Sequence, residues 1–185
     1  SNANYSYGGL HRVFQQAFKK INIHEHSYHE VLILGFGAGS VASILREELK
    51  MKPHIVGVEI DPAVIELGKK YFNTERFDDF ELVEANAVEY IQQEQRVYDL
   101  IIVDVYIDYQ VPSECEQKEF VSGLYRCLAP NGMILFNKMI YNHESKEEAN
   151  GLEMIFKQLE GKTSVIKIRE GMLNKILIFQ KARKS

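Results

Sequence analysis

Three glycines at alternate positions, Gly35, Gly37 and Gly39, follow the apolar run Val31-Leu32-Ile33-Leu34 and lead into an amphipathic segment, "VLILGFGAGSVASIL". Missing side chains at the end of a buried strand let a ligand press against the backbone near a helix N-terminus, where N–H groups point outward. The alternative is a tight strand-to-helix turn with no ligand. Glu59 closes the next apolar run, twenty residues after Gly39. A carboxylate has little use in a core, and at a strand end it can accept hydrogen bonds from both hydroxyls of a ribose. Asn86 follows a third apolar run, where its amide can meet an adenine edge, cap the next helix, or do both. Asp104 ends a fourth run, "LIIV", whereas Asp99 at its start reads as a structural residue on the solvent side. Tyr106, Asp108 and Tyr109 follow in a loop over the same region, where the two rings can stack on a substrate or simply pack the loop.

A nicotinamide cofactor also uses glycines and an acid. Its G-x-G-x-x-G fingerprint, however, needs a third glycine where this chain has Ser40. G-x-G-x-G better suits an adenosyl ligand without a pyrophosphate. His24, His26 and His29 in "HEHSYH" lack a matching ligand cluster and read as solvated loop residues, so no metal site is expected. Arg12 and Gln16 lie on the polar side of the first helix, either bordering the pocket or facing solvent.

These residues need a scaffold, and the hydrophobic period supplies one. Leu10, Val13, Phe14, Ala17, Phe18 and Ile21 follow helical spacing and predict an N-terminal helix over 8–22. Short strands apolar on both faces then alternate with helices. They are "EVLILG", "HIVGVEI", "FELVEA", "YDLIIVDV" and "MILFNKM", the last entered through a Pro130-Asn131-Gly132 turn. Asp61-Pro62 caps the helix "AVIELGKKYF". Val41, Ile44, Leu45 and Leu49 stripe the helix after the glycines, and Phe120, Val121, Leu124 and Leu128 stripe a later one. Two closing strands, "TSVIKIRE" and "NKILIFQK", are separated only by a turn containing Gly171. The expected fold is α/β: a doubly wound, mostly parallel seven-stranded sheet with an antiparallel C-terminal hairpin. Ligands in such sheets bind beyond the carboxyl ends of the strands where strand order reverses, here after Leu34, Ile60, Val83, Val103 and Phe136.

Composition narrows the function classes. The chain has 185 residues, 45% hydrophobic and 26% charged, with net charge −4 and pI near 5.9. That suits one domain, expected over 4–185 once Ser1-Asn2-Ala3 is set aside as an expression scar. Lys and Arg are scattered, which argues against nucleic-acid or anionic-membrane binding. No apolar run approaches the ~20 residues of a membrane span, and no signal peptide is apparent. Cys115 and Cys127 fall on one predicted helix, roughly 18 Å apart at ~1.5 Å rise per residue, beyond disulfide reach. A reducing cytoplasm is the expected location, and a homodimer is compatible with all of this.

The segments "VLILGFGAGSVASIL", "VGVEIDPAVIELGKKYF", "VEANAVEYIQQEQRVYDLIIVD" and "EFVSGLYRCLAPNGMILFN" resemble, in order and spacing, the class I S-adenosylmethionine-dependent methyltransferases and, among them, the spermidine synthase family. The resemblance covers roughly Glu30 to Asn137. It implies that Gly35, Gly37 and Gly39 line the methionine portion of S-adenosylmethionine or its decarboxylated form. Glu59, with Ile60 beside it, would hold the ribose, and Asn86 and Ala87 would flank the adenine. Asp104 would face the nucleophile; Asp108, one residue later than the family's second aspartate, is the other catalytic candidate, and Tyr106 and Tyr109 flank it in the loop as candidate substrate contacts. The chain also departs from the family. Ala38 replaces the aspartate of G-G-G-D-G, "DVYIDYQVP" replaces D-S-S-D-P, and Asn86 stands at the adenine-side aspartate. The thirty residues before the first strand are too few for the family's N-terminal β-domain. The expected function is methyl transfer to a small-molecule acceptor. Aminopropyl transfer from the decarboxylated donor is the alternative, and a non-catalytic adenosyl-ligand binding protein is a third reading.

Overall fold

Strands apolar on both faces must be covered on both, and the chain does this by sending its helices to opposite sides of a single sheet. The computed structural model describes residues 2–72, 79–107 and 110–183. Its first half runs α1 (Asn2–Lys20), β1 (Glu30–Leu34), α2 (Ser40–Ser43), β2 (His54–Glu59), α3 (Pro62–Phe72), β3 (Phe80–Glu84) and α4 (Ala87–Gln93). The second half runs β4 (Tyr98–Val103), α5 (Lys118–Arg126), β5 (Leu128–Ile140), α6 (His143–Lys157), β6 (Gly161–Glu170) and β7 (Met172–Lys181).

The strand order is β3-β2-β1-β4-β5-β7-β6. β1 to β5 are parallel, and β7 runs antiparallel to both β5 and β6. The expected hairpin is present, pairing Thr163 with Phe179 and Ile168 with Asn174 across Gly171. Strand alternation sorts the core into two layers. Leu32, Leu34, Ile101, Val103, Ile134 and Phe136 face buried residues of α4, α5 and α6. Val31, Ile33, Leu100, Ile102, Met133 and Leu135 face those of α1 and α2.

The structure corrects the sequence reading in several places. α1 runs from Asn2 to Lys20, beginning and ending earlier than the expected 8–22. The helix striped by Val41 to Leu49 is a short α segment continued by a π-helical one, Ile44–Glu48, in which Leu49 N–H reaches Ile44 C=O at 2.9 Å. Cys115 and Cys127 do not share a helix. Cys115 sits in a 3₁₀ turn, Ser113–Glu116, and Cys127 caps α5, and both are buried free thiols. Leu128 begins β5 rather than closing the helix, and Pro130 to Gly132 form a bulge within β5, where the register slips between Tyr98 and Leu100 and Asn131 takes φ +64°. Among the described residues no helix is long and apolar enough to cross a membrane.

Asp99 is structural, as expected: one of its carboxylate oxygens accepts the His29 and Glu30 N–H groups at 2.8 and 3.0 Å, pinning the start of β1 to β4. At the other end of the same strand pair, Gly35 is at φ +80°, and a Cβ there would lie 2.3 Å from the Asp104 carbonyl oxygen. Backbone cannot yield to such a contact. Gly35→Ala should therefore cost about 2–4 kcal/mol, through overlap and a left-handed φ together, read as a lowered urea midpoint.

Candidate functional site

Four parallel strands lie in register at their carboxyl edge. Leu34 is paired with Val58 on one side and with Val103 on the other, and Val103 is paired with Phe136. The next residues, Gly35, Glu59, Asp104 and Asn137, therefore form a row along the carboxyl edge of the sheet, centred where strand order reverses between β1 and β4. Gly35 and Phe36 both donate their N–H groups to Val58 C=O at 2.9 Å, and Asp104 N–H donates to Leu34 C=O at 2.9 Å. Phe36 turns back into the core against the Phe80 ring (centroids 5.1 Å apart), in space that Gly57 leaves open by lacking a side chain. The chain then rises through Gly37, above which nothing lies within 4 Å of a notional Cβ, and Gly39 caps α2.

Glu59 holds this loop in place. One carboxylate oxygen accepts Gly37 N–H at 2.8 Å, and the other accepts Ile60 and Asp61 N–H at 2.9 and 3.1 Å. Ile60 stands beside it 54% exposed. Asn86 caps α4, its side-chain oxygen accepting Val88 and Glu89 N–H at 2.8 and 3.3 Å, with Ala87 buried beneath.

Asp104 lies half-buried at the base of the row and accepts a 2.9 Å hydrogen bond from the Asn137 side-chain amide. Burial pushes its carboxyl up to about 7, the Asn137 donor pulls it back, and the negative charge of Glu59 adds to the rise. A carboxyl near neutrality can both accept and hold a proton under ordinary conditions. Tyr106 is half-buried, and its hydroxyl donates to Asn137 C=O at 2.8 Å while accepting Met139 N–H at 3.1 Å, so it is tied to β5. Asp108 and Tyr109 lie outside the described residues. Arg12 and Gln16 both bind the Glu170 carboxylate at the end of β6. Among the described residues no three His, Cys, Asp or Glu side chains are gathered to hold a metal. A surface recess of about 410 Å³ at Asn131, Gly161, Lys162 and Gln180 opens beside the β5 bulge and contains none of the row.

Asn137 escaped the sequence reading as a site residue. Its signal was present, since it directly follows Phe136 and is the polar residue ending the apolar run "MILF". The row as built sets two carboxylates, Glu59 and Asp104, at the strand ends beside the open backbone of Gly37.

The spermine/spermidine synthase domain matches residues 13–185. The chain belongs to that family. A polyamine aminopropyltransferase of Vibrio vulnificus is 30% identical over 122 residues, covering 62% of this chain and 40% of the relative, so the chain spans well under half of that relative's length. Human methyltransferase-like protein 13, solved in complex with SAH, superposes with a TM-score of 0.72 at 22% identity, covering 100% of this chain and 83% of that one. The spermidine synthase of Thermotoga maritima gives 0.69 at 19% identity, covering 87% and 56%. These likenesses establish the family's methyltransferase-like α/β fold for this chain.

The raised Asp104 carboxyl has a thermodynamic consequence. Its folded pKa of about 7 lies above the unfolded carboxylate value of about 3.9, so the folded state holds the proton longer. Stability should therefore fall as pH rises between those values, because ionising Asp104 costs more folded than unfolded. Asp104→Asn, which keeps an acceptor for Asn137, should stabilise the protein by up to about 2 kcal/mol near about pH 8 and by little near about pH 4. Thermal melts across that window check it; a gain independent of pH would contradict the assignment.

Proposed function

We propose that the chain binds S-adenosylmethionine across the Gly35–Glu59–Asp104 row and transfers its methyl group to a small-molecule acceptor. The observation that carries this reading is the row itself, an open glycine loop flanked by two carboxylates at the switch point of a family-matched sheet. When bound, the sulfonium supplies an alkyl carbon open to in-line displacement. The residues present fit such a ligand. Gly37 leaves open space beside its backbone, and Ile60 offers an exposed apolar surface next to Glu59. A carboxylate has about four lone-pair positions and Glu59 uses three of them, so one ribose hydroxyl can be accepted directly. The second would compete with Gly37 N–H. Asn86 already caps α4 and would meet adenine only with its remaining amide donors, above Ala87. Asp104 would orient the acceptor and take its proton as the nucleophile becomes positive. Asp108, Tyr106 and Tyr109 remain the candidates to border that acceptor.

The second reading is aminopropyl transfer from decarboxylated S-adenosylmethionine, and the name of the Vibrio vulnificus relative favours it. Ala38 favours methyl transfer. In the family pattern an aspartate at that position would repel the methionine carboxylate, and Ala38 removes the repulsion.

Two outcomes test this. Glu59→Ala should weaken S-adenosylmethionine or SAH binding by about 1.5–3 kcal/mol, roughly tenfold to a hundredfold, measured by calorimetry. Unmodified protein should bind S-adenosylmethionine at least about tenfold more tightly than the decarboxylated donor, and Ala38→Asp should narrow or invert that gap. Preference for the decarboxylated donor in the unmodified protein would hand the reading to aminopropyl transfer.

A further inference from the structure

We propose that Asn137 is the positioning residue of this site, its side-chain amide fixing one oxygen of Asp104 so that the other is presented to the acceptor. The inference deepens the proposed function, resting on it only in taking Asp104 as the group that meets the acceptor.

Asn137 is completely buried, at 0% exposure, where the preceding four residues of β5 are all apolar. Its amide N–H donates to Asp104 Oδ1 at 2.9 Å, while its own Oδ1 has no hydrogen-bond partner among the described residues. A buried amide with one end unsatisfied is a poor choice for packing alone, since leucine of similar size has no polar atom to leave unpaired. The arrangement makes sense if the end that is satisfied has a task.

The surroundings show the task. β4 ends at Val103, so beyond Phe136 the backbone of β5 loses its partner on that side. Tyr106 replaces it, its hydroxyl accepting Met139 N–H and donating to Asn137 C=O. The segment 104–106 thus grips Asn137 twice, by its side chain through Asp104 and by its backbone through Tyr106. With Asn137 immobile, so is the Asp104 carboxylate. Oδ2 makes no hydrogen bond among the described residues and is the oxygen left for the acceptor. The ionisable groups facing Asp104 are Glu59 from the end of β2 and the Tyr106 hydroxyl from its own loop. Neither donates to its carboxylate, so Asn137 is the group that favours the charged form, against burial and Glu59.

The test reads the Asp104 carboxyl directly by carbon NMR titration, with Asp104→Asn identifying its signal. Asn137→Leu should raise the titration midpoint by at least about one pH unit, a tenfold rise in proton affinity, with the melting temperature kept or increased. Should Asn137→Leu fail to fold, Asn137→Ala reads the same shift. An unchanged midpoint in a folded variant, whatever happens to its stability, would make Asn137 a packing residue and overturn the proposal. The pH dependence of S-adenosylmethionine binding should move with the midpoint. If that donor does not bind the unmodified protein at all, the proposed function fails, while the NMR midpoint still decides the role of Asn137.

Discussion

Leu34 is bonded into the sheet on both sides, and the site depends on that. Because β2 and β4 flank β1 in register, Val58 C=O is placed to receive two N–H groups from the glycine loop, and Leu34 C=O receives the N–H of Asp104. The row of site residues is the consequence. The same closeness imposes a strict condition at Gly35, where the Asp104 carbonyl occupies the space any side chain would need. The row of strand ends and the sterically closed strand pair are two aspects of one constraint.

Electrostatics then follow from which way neighbouring side chains point. Glu59 and Asp104 share one edge, and burial together with the Glu59 charge raises the cost of ionising Asp104. The nearest cation along β5, Lys138, is turned by strand alternation to the opposite face, where it pairs with Glu116 and with Glu148 at 2.6 Å. It is therefore not available to neutralise the site. Glu59 is held instead by three backbone N–H groups and Asp104 by one amide.

Family membership and local sequence pull in different directions at the first loop. Phe36 and Ala38 stand where the family pattern has a glycine and an aspartate, and Phe36 is accommodated because Gly57 leaves room for its ring beneath the loop. The backbone path is therefore compatible with the family while the charge at position 38 is not. The match also covers only 40% of the length of the Vibrio vulnificus relative.

Much of this was legible in the residues. Apolar runs with no polar face demanded a covered parallel sheet, glycines after the first strand marked a bare turn open to close backbone approach, and a lone carboxylate ending β2 had no place in a core. The closing hairpin followed from two strands with no helix between them. Local boundaries were less legible. The π-helical continuation of α2, the bulge at Pro130 to Gly132 and the separation of Cys115 from Cys127 depend on packing that no short window encodes. What only the tertiary structure decided was the pairing around Asp104. Asn137 is 33 residues away in the chain, and it meets Asp104 only because β4 and β5 lie side by side with Val103 opposite Phe136. The same adjacency makes the Tyr106 hydroxyl a brace on the β5 backbone. Residue type and spacing can mark a strand end as chemical, but which polar groups meet there is set by strand order, a property of the whole sheet.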